Sequence, residues 1–245
     1  MGEAKRKQAS SAVGTTAAAS VQPAFVAKAV RQVIEAITDF HGADCLLYAS
    51  VGAHLLRSLG VDAQAVAGSA AWRIGSGDGD VISHAREIQG PRYGHADAVE
   101  AGMFHAWIAG PGILADFTTS SLRLKAELLD AADGGITTVD WSPDYLWLVG
   151  NGPHPGQVKE PNQVRMAAHA KVFCYRRHAE VERLVFDNKE LREAELAQLY
   201  FGVRTAYRAL CEGASIQIVG VGKDALQTEP VIKPIVPVPM TSIFR

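Results

Sequence analysis

The chain has 245 residues, 48% of them hydrophobic, which is enough to bury a sizeable core. Lys and Arg total 24 against 26 Asp and Glu, and the net charge of -2 gives no general attraction to phosphates, arguing against nucleic acid as a partner. No apolar stretch reaches the roughly 20 residues that a membrane-spanning helix requires, so no membrane role is expected.

Residues 1–22 begin with a basic cluster, Lys5, Arg6 and Lys7, and continue in small and polar side chains, which reads as a disordered, solvated tail. The Ala, Ser, Thr and Gly here are too weakly apolar for a secretory signal, and acylation at Gly2 would need Ser or Thr where the chain has Arg6. Residues 23–245 read as a single domain with a C-terminal helical extension. Pro23 suits the first turn of a helix, Val26, Val30, Val33, Ile34 and Ile37 share one face, and the helix is expected to end around His41 and Gly42. A second helix follows, with Asp44 as N-cap, Leu47, Val51, Leu55 and Leu59 as its core stripe and Gly60 as its stop. Cys45 falls in the first turn of this helix, where unpaired amides and the positive end of the helix dipole stabilise a thiolate.

Beyond Gly60 the pattern turns extended: VDAQAVAG and AAWRI read as strands, GSGDGD as a turn into VISHAREI, and 85 to 101 as a loop. MFHAWIAG and ILADFTT flank Gly110, Pro111 and Gly112, which predicts a hairpin that sets His105 and Asp116 on neighbouring antiparallel strands. SSLRLKAELLDAAD is expected to be a helix capped by Thr119 or Ser120, DYLWLV a buried strand, and 150 to 163 a long loop bordering a cleft. AKVFCYRRH fits either strand or helix. Lys189 to Glu212 is an amphipathic helix stopped by Gly213, SIQIVGVG is a strand, and the prolines of EPVIKPIVPVP limit it to an edge strand or extended tail.

Cys45, His105 and Asp116 are the groups that thiol chemistry needs: a nucleophile, an imidazole to take and return its proton, and a carboxylate to orient the imidazole. A single cysteine on an amphipathic helix is ordinarily a packing residue, and it is the first-turn placement with the His and Asp strands that favours reactivity. His84 and His95 compete for the imidazole role, and Asp97 and Asp140 for the carboxylate role, with less support from their surroundings. Trp107 is a candidate substrate contact, although it and Trp141 and Trp147 fit a core better. Cys174 and Cys211 read as core residues, and the odd, widely spaced set of three cysteines suits a reducing cytoplasm. The spacing of His169, Cys174 and His178 puts no common helical face toward a metal, so neither metal nor cofactor is expected.

The run DCLLYASVGAHLLRSLGVDAQAVAG followed by FHAWIAG and ADFTT resembles the core of transglutaminase-like domains in the papain-like cysteine protease superfamily. The matching positions are Cys45, Leu55 to Gly60, His105 to Trp107, and Asp116 with Thr118, within roughly residues 30 to 120. Asp44 and Leu46 depart from the Gly and aromatic residue common around the family's cysteine, and the Arg-Gly-Gly lead-in of arylamine acetyltransferases is missing. The resemblance implies an α+β, papain/transglutaminase-like fold, with N-terminal helices and the nucleophile helix packed on an antiparallel sheet. It also implies a cysteine-nucleophile enzyme that acts on a peptide, amide or ester carbonyl through a thioester, as hydrolase or acyltransferase. The backbone N–H of Cys45 would be one oxyanion donor; Gln32 and His41 precede the cysteine, and the sequence places neither as a second. Partners would be a peptide, protein or small amide substrate. The alternative is a catalytically silent domain that binds a peptide or protein partner in the same cleft.

Overall fold

The computed structural model describes residues 21–38, 44–84, 104–187, 193–214, 216–218 and 232–234. It is an α+β fold in which helices pack against an antiparallel sheet. The expected tail up to residue 20, the loop at 85 to 101 and the rivals His95 and Asp97 lie outside the described residues.

Helix α1 (Pro23–Glu35) starts on its proline, as expected, and buries Val26, Val30, Val33 and Ile34. It stops short of the predicted end, because the amides of Ile37 and Thr38 both fold back on the Ile34 carbonyl. Ile37 is consequently 43% exposed, although its spacing fits the apolar stripe. Helix α2 (Cys45–Ser58) ends before Gly60; of the expected stripe Val51 and Leu55 are buried while Leu47 and Leu59 are half-buried, and burial extends instead to Tyr48, Ala49, Gly52, Ala53 and Leu56. The cause is its position, between α1 on one side and the sheet on the other. At Gly52 an added Cβ would lie 2.6 Å from Ile108 and 2.8 Å from Phe117, so the glycine sets how closely α2 lies on the sheet.

The two extended segments after Gly60 form one continuous strand, β1 (Gln64–Arg73), which organises the sheet. Strand β2 (Val81–His84) returns along its second half, and β3 (His105–Gly110) pairs with its first half. The predicted hairpin joins β3 to β4 (Ile113–Asp116) through Pro111 and Gly112, and the φ of 70° at Gly112 is one that glycine adopts without strain. Strand β5 (Leu146–Val149) extends the sheet beyond β4. The ambiguous AKVFCYRRH segment forms strand β6 (Phe173–Arg177) and pairs along residues 68–72 of β1. Because β6 occupies that edge, β2 and β3 share the opposite one and meet end to end, with His84 opposite Ala70 and His105 opposite Gly68.

Helix α3 (Leu122–Asp133) follows a short 3-10 turn at Thr119–Ser121. Neither expected cap residue serves it, since Ser121 holds the N-cap position and Thr119 donates its hydroxyl to the Pro143 carbonyl. Within the loop expected at 150 to 163, helix α4 (Pro161–Met166) begins, and Val158 N–H donates to the Phe173 carbonyl, tying the segment to β6. Helices α5 (Ala179–Asp187) and α6 (Glu193–Cys211) follow. The described chain ends in a two-stranded ribbon of β7 (Ile216–Ile218) and β8 (Ile232–Pro234).

The sheet has two different faces. One carries Ala67, Ala106, Ile108, Ala115 and Phe117 and packs under α1, α2 and α6. On the other, Ala70, Trp72, Ile74 and Ile82 pack with Leu122 and Ala126 of α3. Each fully buried aliphatic side chain contributes about 1.5–3 kcal/mol, so this framework fixes where the polar groups lie. Among the described residues no helix is long and apolar enough to cross a membrane.

Candidate active site

Cys45 is the first residue of α2 and is 8% exposed. Asp44 occupies the N-cap position but does not cap the helix: its carboxylate accepts the Thr38 hydroxyl at 2.8 Å. The first-turn amides therefore have no side-chain cap and remain available to a negative charge near Cys45. Burial raises the Cys45 thiol, but the His105 ring, the Ala106 backbone N–H and the Lys125 ammonium outweigh it and bring the thiol below its ordinary value.

His105 and Asp116 meet as the hairpin predicts. The pairing of Ile108 with Ala115 continues so that Asp116 lies across from Trp107, on the same face as His105 and diagonal to it. His105 Nε2–H donates to Asp116 Oδ2 at 2.8 Å, and both side chains are almost fully buried. Burial alone would lower His105, but the Asp116 charge and hydrogen bond, joined by the Cys45 thiol, push it up to about 9. Burial likewise opposes ionisation of Asp116, yet the His105 ring, the Tyr175 hydroxyl and the Thr118 amide hold its carboxyl far below the usual range. The other ring nitrogen, His105 Nδ1, is buried and among the described residues closes no hydrogen bond of ordinary geometry, while the Cys45 thiol acts on the ring. With Nε2 committed to Asp116, Nδ1 is the nitrogen left to serve the thiol, and such bonds are often long until substrate is present.

Asp116 is more fully held than its sequence context suggests. Oδ1 accepts both the amide and the hydroxyl of Thr118, at 2.9 Å and 2.8 Å, so the expected Asp-x-Thr pairing has a physical use. Oδ2 accepts a second donor, the Tyr175 hydroxyl at 2.6 Å, and that hydroxyl in turn accepts Trp72 Nε1–H at 2.8 Å. Sequence reasoning missed Tyr175 and Trp72. The available signal was a tyrosine in a buried strand, whose hydroxyl needs a partner.

Trp107 is 3% exposed and stacks on His105 at 6.3 Å between ring centroids, with Tyr175 on its other contact at 5.3 Å. It lies inside the aromatic layer and backs the imidazole. His84, the rival histidine, also lies in this layer, its ring 5.7 Å from that of His105. Asp140 is exposed and has no part in the cluster, Gln32 sits on α1 with a buried and unpartnered Oε1, and His41 lies outside the described residues. The three residues weighed for zinc go separate ways: His169 is exposed, Cys174 donates to the Lys159 carbonyl at 3.3 Å, and His178 Nε2 pairs with Ser69 Oγ at 2.9 Å. Among the described residues no group of three or more His, Cys, Asp or Glu is placed to hold a metal ion.

Residues 25–130, which include Cys45, His105 and Asp116, match a family described as "Protein of unknown function (DUF2026)". No curated protein matches the chain. Among solved structures, one described as "The crystal structure of genomics APC5867" is similar at 15% identity and a TM-score of 0.57, covering 89% of this chain and 94% of that one. At that identity the likeness speaks to the fold alone.

Proposed function

We propose that the protein is a cysteine-nucleophile enzyme, related to transglutaminase-like domains, that attacks an amide, peptide or ester carbonyl through a thioester. The observation that carries this reading is the two-sided use of His105: Nε2 is anchored on Asp116 at 2.8 Å while buried Nδ1 is left for the thiol at the start of α2. As thiolate, Cys45 forms a C–S bond to the substrate carbonyl carbon, and the carbonyl oxygen takes the charge near the first-turn amides of α2. Collapse breaks the bond to the amine or alcohol, which leaves with the proton from His105. Water, deprotonated by His105, then attacks the thioester, releasing the acid and restoring the thiol. Hydrolysis is the simplest outcome; an amine in place of water would give acyl transfer. Asp116 keeps the imidazole in the required tautomer throughout. The proposed location is the cytoplasm, where thiols such as these three free cysteines remain reduced.

The burial of Cys45, at 8% exposure, favours a second reading, a silent domain that binds a peptide or protein partner. Iodoacetamide labelling across pH separates the two, with Cys211 as internal reference, since it is exposed and not the core residue its sequence suggests. The enzyme reading expects Cys45 to label fully at about pH 6, well below an ordinary thiol, and to lose that reactivity in His105→Ala. Labelling of Cys45 only above about pH 8, indifferent to His105→Ala, would establish the silent domain instead.

A further inference from the structure

Two polar groups beside the site, Lys125 and His84, take no part in the bond-making steps above. Lys125 sits in the first turn of α3, and its Nζ lies 5.8 Å from the centroid of the Trp72 ring. Trp72 is fully buried and packs perpendicular to His105 at 4.8 Å, so the ammonium reaches inward over the wall of the site where a surface lysine would turn to water. Lys125 makes no ion pair among the described residues. Asp116, a carboxylate that acts on it, already accepts from His105, Tyr175 and Thr118, and the other group that acts on it is the Cys45 thiol itself. A half-buried ammonium is costly unless an anion joins it.

His84 is the second group. It ends β2 where His105 begins β3, its ring packs against Trp72 at 5.7 Å, and among the described residues its buried Nε2 has no partner. Burial, then the charges of Lys125 and His105, push it down to about 3, with Asp116 acting weakly the other way. It is therefore a neutral imidazole at ordinary pH, with one ring nitrogen open for a hydrogen bond. Lys125 and His84 thus share Trp72 as a support, and the Lys125 charge reaches both His84 and Cys45.

We propose that Lys125 and His84 form a subsite for a carboxylate, so that the enzyme acts on amides or esters whose acyl group carries a negative charge beside the scissile carbonyl. This rests on the nucleophile reading of Cys45. The single ammonium matches a monoanion, whereas a dianionic phosphate would leave uncompensated charge near Asp116. A bidentate arginine fork, the usual phosphate clamp, is not among the side chains that act on Cys45.

The test uses two alkylating agents of nearly equal shape, iodoacetate with a carboxylate and neutral iodoacetamide, on the full chain at about pH 7. Rates are read at the Cys45 peptide, with the exposed Cys211 as reference. The iodoacetate-to-iodoacetamide rate ratio should be at least about tenfold higher at Cys45 than at Cys211 and fall about tenfold in Lys125→Gln, the scale of one charge interaction in a partly desolvated site. Lys125→Arg should retain the preference, and His84→Phe should lower it a few-fold. Both reagents consume the same thiolate, so any effect of Lys125 on nucleophilicity cancels in the ratio, and the pull of His105 is common to all these variants. Acetate, a monoanion, should protect Cys45 from iodoacetamide where inorganic phosphate at equal ionic strength does not. A ratio unchanged in Lys125→Gln, even with both rates reduced, would overturn the subsite, as would equal protection by phosphate. A Cys45 inert to both reagents at every pH is a different result, which removes the nucleophile reading and the subsite together.

Discussion

The two faces of the sheet solve different problems. Under α1, α2 and α6 the contacts are aliphatic and interchangeable in kind: Val30, Ile34, Val51 and Leu55 on the helices against Ala106, Ile108 and Ala115 on the strands. On the other face, Trp72, His84, His105, Trp107 and Tyr175 are in ring contact and Asp116 accepts four hydrogen bonds. An apolar layer tolerates substitution if volume is kept, whereas a buried polar network is stable only when every member is satisfied. The aliphatic face positions the helix that carries the thiol, and the polar face keeps an imidazole charged inside the protein. Substitutions should therefore cost in different currencies on the two faces.

The sharpest break is Cys45→Ser, which keeps size and removes the thiolate. On the enzyme reading, turnover of an activated acyl ester or anilide should fall by at least about a thousandfold, with an unchanged circular dichroism spectrum. Next is His105→Ala, which strands Asp116 as a buried charge. Chemical denaturation should show a loss of about 3–5 kcal/mol, and Asp116→Asn, which removes that charge, should be milder. Gly52→Val tests the aliphatic face by pushing α2 off Ile108 and Phe117. It should cost about 1–3 kcal/mol by the same measurement while leaving pH-6 labelling of Cys45 measurable in the folded fraction.

Tyr175→Phe probes the polar face more gently, leaving Trp72 Nε1–H and Asp116 Oδ2 each one partner short, at a cost of about 1–3 kcal/mol. Because Tyr175 shares Oδ2 with His105, its loss should strengthen the remaining bond and move the alkaline limb of the pH–rate profile upward. pH probes the wild type with no substitution at all. His105 is raised from 6.5 to about 9, so the stability its protonation contributes is complete below pH 6.5 and lost as the pH rises through 9. Asp116 is lowered, so its contribution is present above its ordinary value of 3.8 and lost as the pH falls below that. Melting temperatures should therefore drop on the alkaline side near pH 9, and the drop should be smaller and shifted to lower pH in Asp116→Asn, where only Cys45 still raises His105.

What was legible in the sequence is what depends on short separations. The hairpin joining His105 to Asp116 spans 11 positions with a Pro-Gly turn, and the placement of Cys45 follows from the periodicity of one helix. Tyr175 and Trp72 are 103 positions apart and meet only because β6 pairs with β1, an association no local pattern announces. Lys125 looks in sequence like an ordinary helix-surface cation, and its inward direction follows from how α3 lies on the sheet. Asp44 and Ile37 erred in the opposite way: each fits a local rule, capping or periodicity, that a neighbouring contact overrides.

The end-to-end meeting of β2 and β3 means that the spacing between the His84 and His105 imidazoles is measured off on β1, like two marks on one ruler. The chain that links them need not hold them together. Register against one strand, and not the count of residues between them, therefore sets the distance between the two rings.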